Sequence, residues 1–438
     1  MKKTVISLSL TILGVFQIQA QETWDLQRCI NHAIEHNLSI KQKEAARDQS
    51  KVELNTAQWS RMPNLNGNIG QSFNFGRALQ ADNTYGNRNT RNTNFSLGTN
   101  IPLFTGMQIP NNIALSKLNL KAATEDLAKA KEDISIQVAS YFLQVLFNEE
   151  LVKIARNQVA LSQEQLDRKV AFFKNGKASE AEVLEAKSRL AQDQLSLVQA
   201  GNNHQLALLD LSQLLELPSP ENFRISVPDI DGFTANLSMP EEIYAQAMMN
   251  KPAIKAAQYR LQGAEKSIKI AQSSYYPQLS FGAGIGTNYY HLSGIENAPF
   301  STQWDQNMNK YLQFSLSIPI FNRFQTRNRV KSARIQRTAL SWQLEESKKS
   351  LYKEIQQAYY NALAAESKYK SSQSATESAN ASFKLISEKY ANGKASATEY
   401  NEMRTAWMKS LSDGIQAKYE FIYRSKILDF YKGIPLVL

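Results

Sequence analysis

One cysteine, Cys29, occurs in the 438 residues, so the chain can close no internal disulfide and must draw its stability from packing and assembly. Beyond the first twenty residues there is no apolar run of the ~20 residues that a spanning helix needs. The mean hydropathy of −0.42 agrees. If the chain enters a membrane, it does so as a closed barrel of strands, the other arrangement that satisfies the backbone in lipid. Glycine and proline are missing where helices could be long: neither occurs between Pro110 and Gly176, nor between Gln325 and Tyr390. Also lacking is a serine, histidine and acid spacing, or a paired-carboxylate site outside two turn regions, that would serve catalysis. The chain reads as a non-enzyme with no cofactor and no metal. Its net charge is +10, but acidic and basic residues alternate through the helical segments and do not cluster. That pattern makes solvated helix faces, not a nucleic-acid surface.

Residues 1–20 read Met-Lys-Lys, an apolar run from Val5 to Ile18, then Ala20 before Gln21-Glu22. This is the form of a signal peptide that is cleaved on export. Cys29 lies well inside the expected mature chain, so it is not a lipidated first residue.

The chain is written twice. Asn-Gly-Lys-Ala-Ser stands at 175–179 and again at 392–396. Ala57, Gln58, Ser60, Pro63 and Leu65 answer to Ala271, Gln272, Ser274, Pro277 and Leu279, and Ile101-Pro102-Leu103-Phe104 answers to Ile318-Pro319-Ile320-Phe321. A repeat this long is a whole structural unit. Residues 21–236 and 237–438 are the two expected repeats.

Each repeat carries two strands of period-2 alternation. In 65–75, Leu65, Ile69, Phe73 and Phe75 share a face opposite Asn66, Asn68, Ser72 and Asn74; in 93–103, Phe95, Leu97, Ile101 and Leu103 oppose Asn94, Ser96, Gly98 and Asn100. The pattern returns in 279–289 and 311–320. Strands of ~10 residues with one apolar and one polar face suit a transmembrane barrel, although an antiparallel soluble sheet alternates in the same way. Four strands cannot close a membrane barrel, so the missing ones must come from other copies.

The remainder of each repeat is predicted to be a long helical hairpin, over 108–215 and 325–431, with Gly176 and Gly393 ending the outgoing helices. Val138, Val145, Val152, Val159 and Leu166 form one seven-residue series, and Phe147, Ile154 and Leu161 a second, displaced by two positions or ~200°. The returning helix has Val183, Leu190, Leu197 and Leu211 on one seam and Leu195 and Leu209 on the other. A helix with two opposed seams is a stave in a wall, touching a neighbour on each side. The overall class is mixed α and β.

On these residues the chain resembles the TolC-type outer-membrane efflux family, the exit ducts of tripartite pumps and type I secretion systems. The resemblance runs from about Leu26 to Tyr431 and is carried by the doubled order helix, strand, loop, strand, long hairpin. Further points of likeness are Ile101-Pro102-Leu103-Phe104-Thr105-Gly106 with its second-half partner, Asn37-Leu38-Ser39-Ile40, Lys251-Pro252-Ala253-Ile254, and the tip glycines. It implies a homotrimer whose twelve strands close a barrel among outer-membrane lipid and whose helices continue it as a periplasmic tunnel. The implied partners are a periplasmic adaptor and an inner-membrane transporter. Asn175, Gly176, Lys177 and Asn392, Gly393, Lys394 become adaptor-docking tips. Glu399 and Glu402 match the acidic rings of the family's periplasmic gate, Glu182 and Glu185 are their first-half counterparts, and Tyr390 matches a tyrosine that ties the closed hairpins together. The chain has Glu where Asp is common, and Ala395 where some members have a gate-locking arginine.

Two other readings remain. A solitary porin-like channel or barrel enzyme would share the strands, but a porin does not explain ~100 Å hairpins. Cys29, His32 and His36 share one helical face at metal-ligand spacing without a fourth ligand. The alternative is that Cys29 packs with Leu26, Ile30 and Ala33 while the histidines face water.

Overall fold

The computed structural model describes residues 23–79, 83–87, 89–219, 223–228 and 233–437, and the expected signal segment 1–20 lies outside them. In the first half, β1 (Thr23–Trp24), α1 (Leu26–His36) and α2 (Leu38–Trp59) precede β2 (Asn64–Asn74). A small hairpin of β3 (Arg77–Leu79) and β4 (Tyr85–Asn87) leads to β5 (Thr90–Phe104), then to α3 (Gln108–Lys174) and α4 (Glu180–Leu214). After β6 (Arg224–Ile225), the second half has α5 (Pro240–Asn250), α6 (Pro252–Ser273), β7 (Gln278–Leu292), α7 (Phe300–Gln306), β8 (Asn309–Ser317), α8 (Gln325–Ala391) and α9 (Ala397–Tyr431). The duplication extends to length: α3 and α8 each have 67 residues, α4 and α9 each 35. At ~1.5 Å per residue the longer pair reach ~100 Å. No helix among the described residues is long and apolar enough to cross a membrane.

The chain divides into two compact units, one of residues 1–40, 131–246 and 354–438, the other of 41–130 and 247–353. The second holds an antiparallel sheet in the order β2-β5-β7-β8, so β2 and β8 are its open edges. Two strands run further than their alternation implies. Thr90, Arg91 and Asn92 at the start of β5 pair with Leu292, His291 and Tyr290 at the end of β7, lengthening both. Strand β8 is shorter than expected and stops at Ser317, not at residue 320. Its partner Gln278 is the first residue of β7, and Pro319 just beyond has no N–H for a ladder. The apolar side chains of one face stand in the open, with Leu65 at 70%, Ile69 at 73%, Leu312 at 77% and Phe314 at 70% exposure.

Among the described residues helix α7 has no counterpart in the first half, and it has no clear signal in the sequence. It covers the part of β7 that β8 does not reach. Gln303 accepts from Tyr290 N (2.8 Å) and donates to Tyr290 O (3.0 Å), and Asn307 Nδ2 donates to Asn288 O (2.7 Å). These side chains satisfy backbone groups that a missing strand would otherwise pair. Phe300 and Trp304 pack against Phe95, and Phe300 also against Tyr289.

Where strand passes to helix, the two halves repeat an unusual backbone. Gly106 and Met107 have φ of +61° and +67°, and their second-half equivalents Arg323 and Phe324 have +55° and +61°. A Cβ on Gly106 would lie 2.5 Å from Ser273 O and 2.9 Å from Tyr276 Cβ, so no side chain fits there. The second half holds the same turn with side chains present, at roughly 1–2 kcal/mol for each left-handed residue.

In the first unit Leu26, Cys29, Ile30 and Ala33 bury one face of α1, which starts at the Asp25 cap (Asp25 Oδ1 accepting from Arg28 N at 2.7 Å). Val138, Val145 and Leu211 are completely buried and Leu190 nearly so, while Val152, Val159, Leu166, Val183 and Leu197 of the same seam are half-buried. The second seam of α4 is open: Leu195 is 58% and Leu209 46% exposed, flanked by exposed Leu184, Val198 and Leu206.

Candidate functional site

The candidate site is built on the ends of the two hairpins, which share two closing hydrogen bonds. Asn175 Nδ2 donates to Ala171 O and Asn392 Nδ2 to Glu388 O, each at 2.8 Å. Lys177 N donates to Phe172 O and Lys394 N to Lys389 O, again at 2.8 Å. Gly176 and Gly393 both have φ +69°, and a Cβ on either would meet nothing within 4 Å. The asparagines are thus spent on the outgoing helices. The exposed glycine backbone and lysine side chains are what each tip offers outward.

Behind each tip a serine starts the returning helix with a capping box. Ser179 caps α4 with Glu182, and Ser396 caps α9 with Glu399. Glu399 accepts from Ser396 N (2.7 Å) and Ser396 Oγ (2.9 Å), and the backbone bond chiefly holds its carboxyl below the usual range. Glu182 has in addition an ion pair with Lys169 of α3, whose hydrogen bond lowers its carboxyl further. The Lys169 ammonium lies 5.7 Å from the ring centre of Tyr390, which stacks on Tyr400 at 4.8 Å. Burial opposes the charge on Lys169, but the bonds to Glu182 and Tyr390 outweigh it and raise its pKa.

Lys169 therefore joins the two hairpins, with Glu182 on one and Tyr390 on the other. Glu185 lines the same cleft. Glu399 and Glu402 do not line it, and Glu402 is exposed on α9. The six tip residues and the five gate candidates thus fall into four places: the two tips, one inter-hairpin cleft, and the open first turns of α9.

One part of the site escaped the sequence reading. Arg404 of α9, 1% exposed, donates to Gln158 O (2.8 Å), Ser162 Oγ (2.8 Å) and Asp193 Oδ2 (2.9 Å). Asp193 of α4 also accepts from Gln158 Nε2 (2.9 Å) and from the Ser162 hydroxyl of α3, with Arg189 Nε 3.5 Å away. A buried charge pair and two polar side chains thus join three helices. The signal was a polar residue in an apolar rhythm: Asp193 between Leu190 and Leu197, and Arg404 between Tyr400 and Met408.

The Cys29 face is packed rather than open. The cysteine is buried in the core, where burial first and the Asp25 charge second push its thiol up to about 12. His32 leans edge-on against Trp24 at 5.0 Å and stacks on His36 at 4.1 Å, so only His36 faces water as expected. Burial and the neighbouring His36 lower the pKa of His32. Among the described residues no group of three His, Cys, Asp or Glu could hold a metal ion.

A doubled strand–hairpin fold with bare apolar strands defines a class of outer-membrane channel, and comparison with known proteins agrees. The profile of the outer membrane efflux protein family matches residues 29–216 and 243–429, and the chain belongs to that family. It is an outer-membrane protein whose helical part is periplasmic. It is 23% identical over 347 residues to the cation efflux system protein CusC of Escherichia coli K12, covering 75% of this chain and 69% of the relative. It is 25% identical over 233 residues to the pyoverdine export outer membrane protein OpmQ of Pseudomonas putida, covering 52% and 46%. An uncharacterised Haemophilus influenzae relative, 20% identical, is matched over 62% of this chain and 60% of its own length. The fold is similar to that of the Campylobacter jejuni CmeC outer membrane channel, with a TM-score of 0.78, 17% identity, and 94% of this chain and 86% of that one covered.

Proposed function

We propose that three copies of the chain form a passive exit duct in the outer membrane. Twelve strands, four from each copy, close a barrel, and the helical hairpins continue it as a periplasmic tunnel. The duct receives its cargo from an inner-membrane transporter through a periplasmic adaptor, in an efflux pump or a type I secretion system. The carrying observation is the four-stranded sheet with two unpaired edges and a bare apolar face. In lipid those edges have no alternative partner but strands of other copies. The open seam of α4 supports the same assembly, since a stave with exposed leucines calls for a neighbour.

The tips Asn175-Gly176-Lys177 and Asn392-Gly393-Lys394 are the adaptor-docking elements. The gate comprises the Lys169 link between Glu182 and Tyr390, with Glu185 beside it, and the carboxylates of Glu399 and Glu402 on α9. In a trimer those two residues give six carboxylates facing a narrow opening. The two tips of each chain, alike in their asparagine side-chain and lysine backbone hydrogen bonds, offer six similar docking points, which suits a hexameric adaptor. Light scattering of the detergent-extracted protein tests the assembly: a stable trimer is expected, and a stable folded monomer would overturn the duct reading.

A further inference from the structure

Asparagine and glycine crowd the face of the sheet opposite the bare apolar side. Along β2 it carries Asn64, Asn66, Asn68, Gly70, Ser72 and Asn74. The antiparallel register sets Asn100 opposite Asn64, Asn94 opposite Gly70, Asn92 opposite Ser72, and Asn288 of β7 opposite Asn94. On β8 the same face has Tyr311 and Gln313, opposite Gly284 and Gly282. Charged residues make up 21% of the chain, yet this water-facing wall has none. The only Lys or Arg in the four strands, Arg91 and Lys310, sit on the apolar face with Phe73 and Ile285, and no strand contains an acid. The carboxamide of Asn92 has its oxygen buried without a protein partner, and Asn94 is exposed.

A carboxamide presents a carbonyl oxygen or an NH2 group with equal ease, so it hydrates a cation or an anion alike. A wall without net charge also produces no long-range field to attract one sign and repel the other. We infer that the barrel is a charge-neutral, carboxamide-lined passage that conducts anionic, cationic and zwitterionic solutes indifferently, and that selection by charge occurs outside the sheet. The inference rests on the duct reading, which makes the polar face the lumen.

Thiol labelling tests both and separates them. Cys29, the only native cysteine, is buried, so the background is low. Asn94→Cys and Asn68→Cys variants of the full-length assembly, in the native membrane or detergent, are reacted with methanethiosulfonate reagents of opposite charge. For a neutral lumen the ratio of the two rates equals that of free cysteine within about twofold, and Asn68→Asp added to Asn94→Cys moves it towards the cationic reagent. A preference of about tenfold or more for one sign at both positions would overturn the neutral passage. If neither position is reached by the water-soluble reagents while Leu97→Cys is, the polar face is not the lumen and the duct reading fails with it.

Discussion

Arg404 of α9 and Asp193 of α4 meet at 2.9 Å with their side chains 2% and 3% exposed, beside Gln158 and Ser162 of α3. A charge sealed from water needs its counter-ion, because removing one partner leaves the other unsolvated. Asp193→Leu alone should therefore cost about 3–5 kcal/mol, as should Arg404→Leu, whereas the two together should cost less than either. Circular-dichroism melts of the four proteins check this. Additive losses in the double variant would mean that the pair is not a coupled unit.

The tip glycines yield a second prediction. Gly176→Val and Gly393→Val put a β-branched residue at φ +69°, at roughly 1–2 kcal/mol each. Nothing within the chain lies within 4 Å of the new Cβ, so assembly and insertion should survive. Loss of export with normal insertion is the outcome expected if an adaptor approaches the glycine backbone closely. Native export rates would remove the tips from the docking surface.

The sequence revealed the tips and strands because their signals are local. Asn-Gly-Lys-Ala-Ser contains its own turn, with glycine at the left-handed position and serine at the cap, and strand alternation is visible in a window of ten residues. The Arg404–Asp193 pair was not visible because it joins positions 211 apart, and only burial distinguishes it from an ordinary surface ion pair. Helix α7 was missed because its glutamine and asparagine answer a gap in the ladder that exists only once β8 is known to be short. Arg323 and Phe324 adopt left-handed backbone without glycine, so the turn they share with Gly106 and Met107 has no residue-level mark.

The Lys169 bridge should make the closed hairpins acid-sensitive. The Glu182 carboxyl is held below its ordinary value of 4.5 by Lys169, so its contribution is present above that value and is lost as pH falls through the lowered one. The Lys169 pKa is raised above 10.5, so its contribution is complete below 10.5 and is lost as pH rises through the raised value. Between those limits the link to Tyr390 stays intact. Single-channel conductance in planar bilayers should accordingly rise as pH falls below 4.5 and through the lowered Glu182 value. Glu182→Gln should conduct in that open manner already at neutral pH. An unchanged acid response in Glu182→Gln would assign the effect to other groups.

Glu399 and Glu402 allow the sharpest separation of a structural role from a functional one. Glu399 is committed to the Ser396 capping box through two bonds of 2.7 and 2.9 Å, while Glu402, exposed one turn further on, has no such duty. If both exist only to start the helix, Glu399→Gln should cost little, since glutamine also completes a capping box, and neither variant should alter conduction. If they form charged rings in a trimer, six carboxylates at a narrow opening attract cations, repel anions and bind multivalent cations. Glu399→Gln/Glu402→Gln should then assemble normally, lose cation selectivity in planar-bilayer recordings and resist block by multivalent cations. Because glutamine preserves the cap and removes only the charge, altered permeation cannot be ascribed to a frayed helix. Unaltered selectivity and block in a correctly assembled double variant would leave Glu399 as a helix cap and Glu402 as a solvated surface residue.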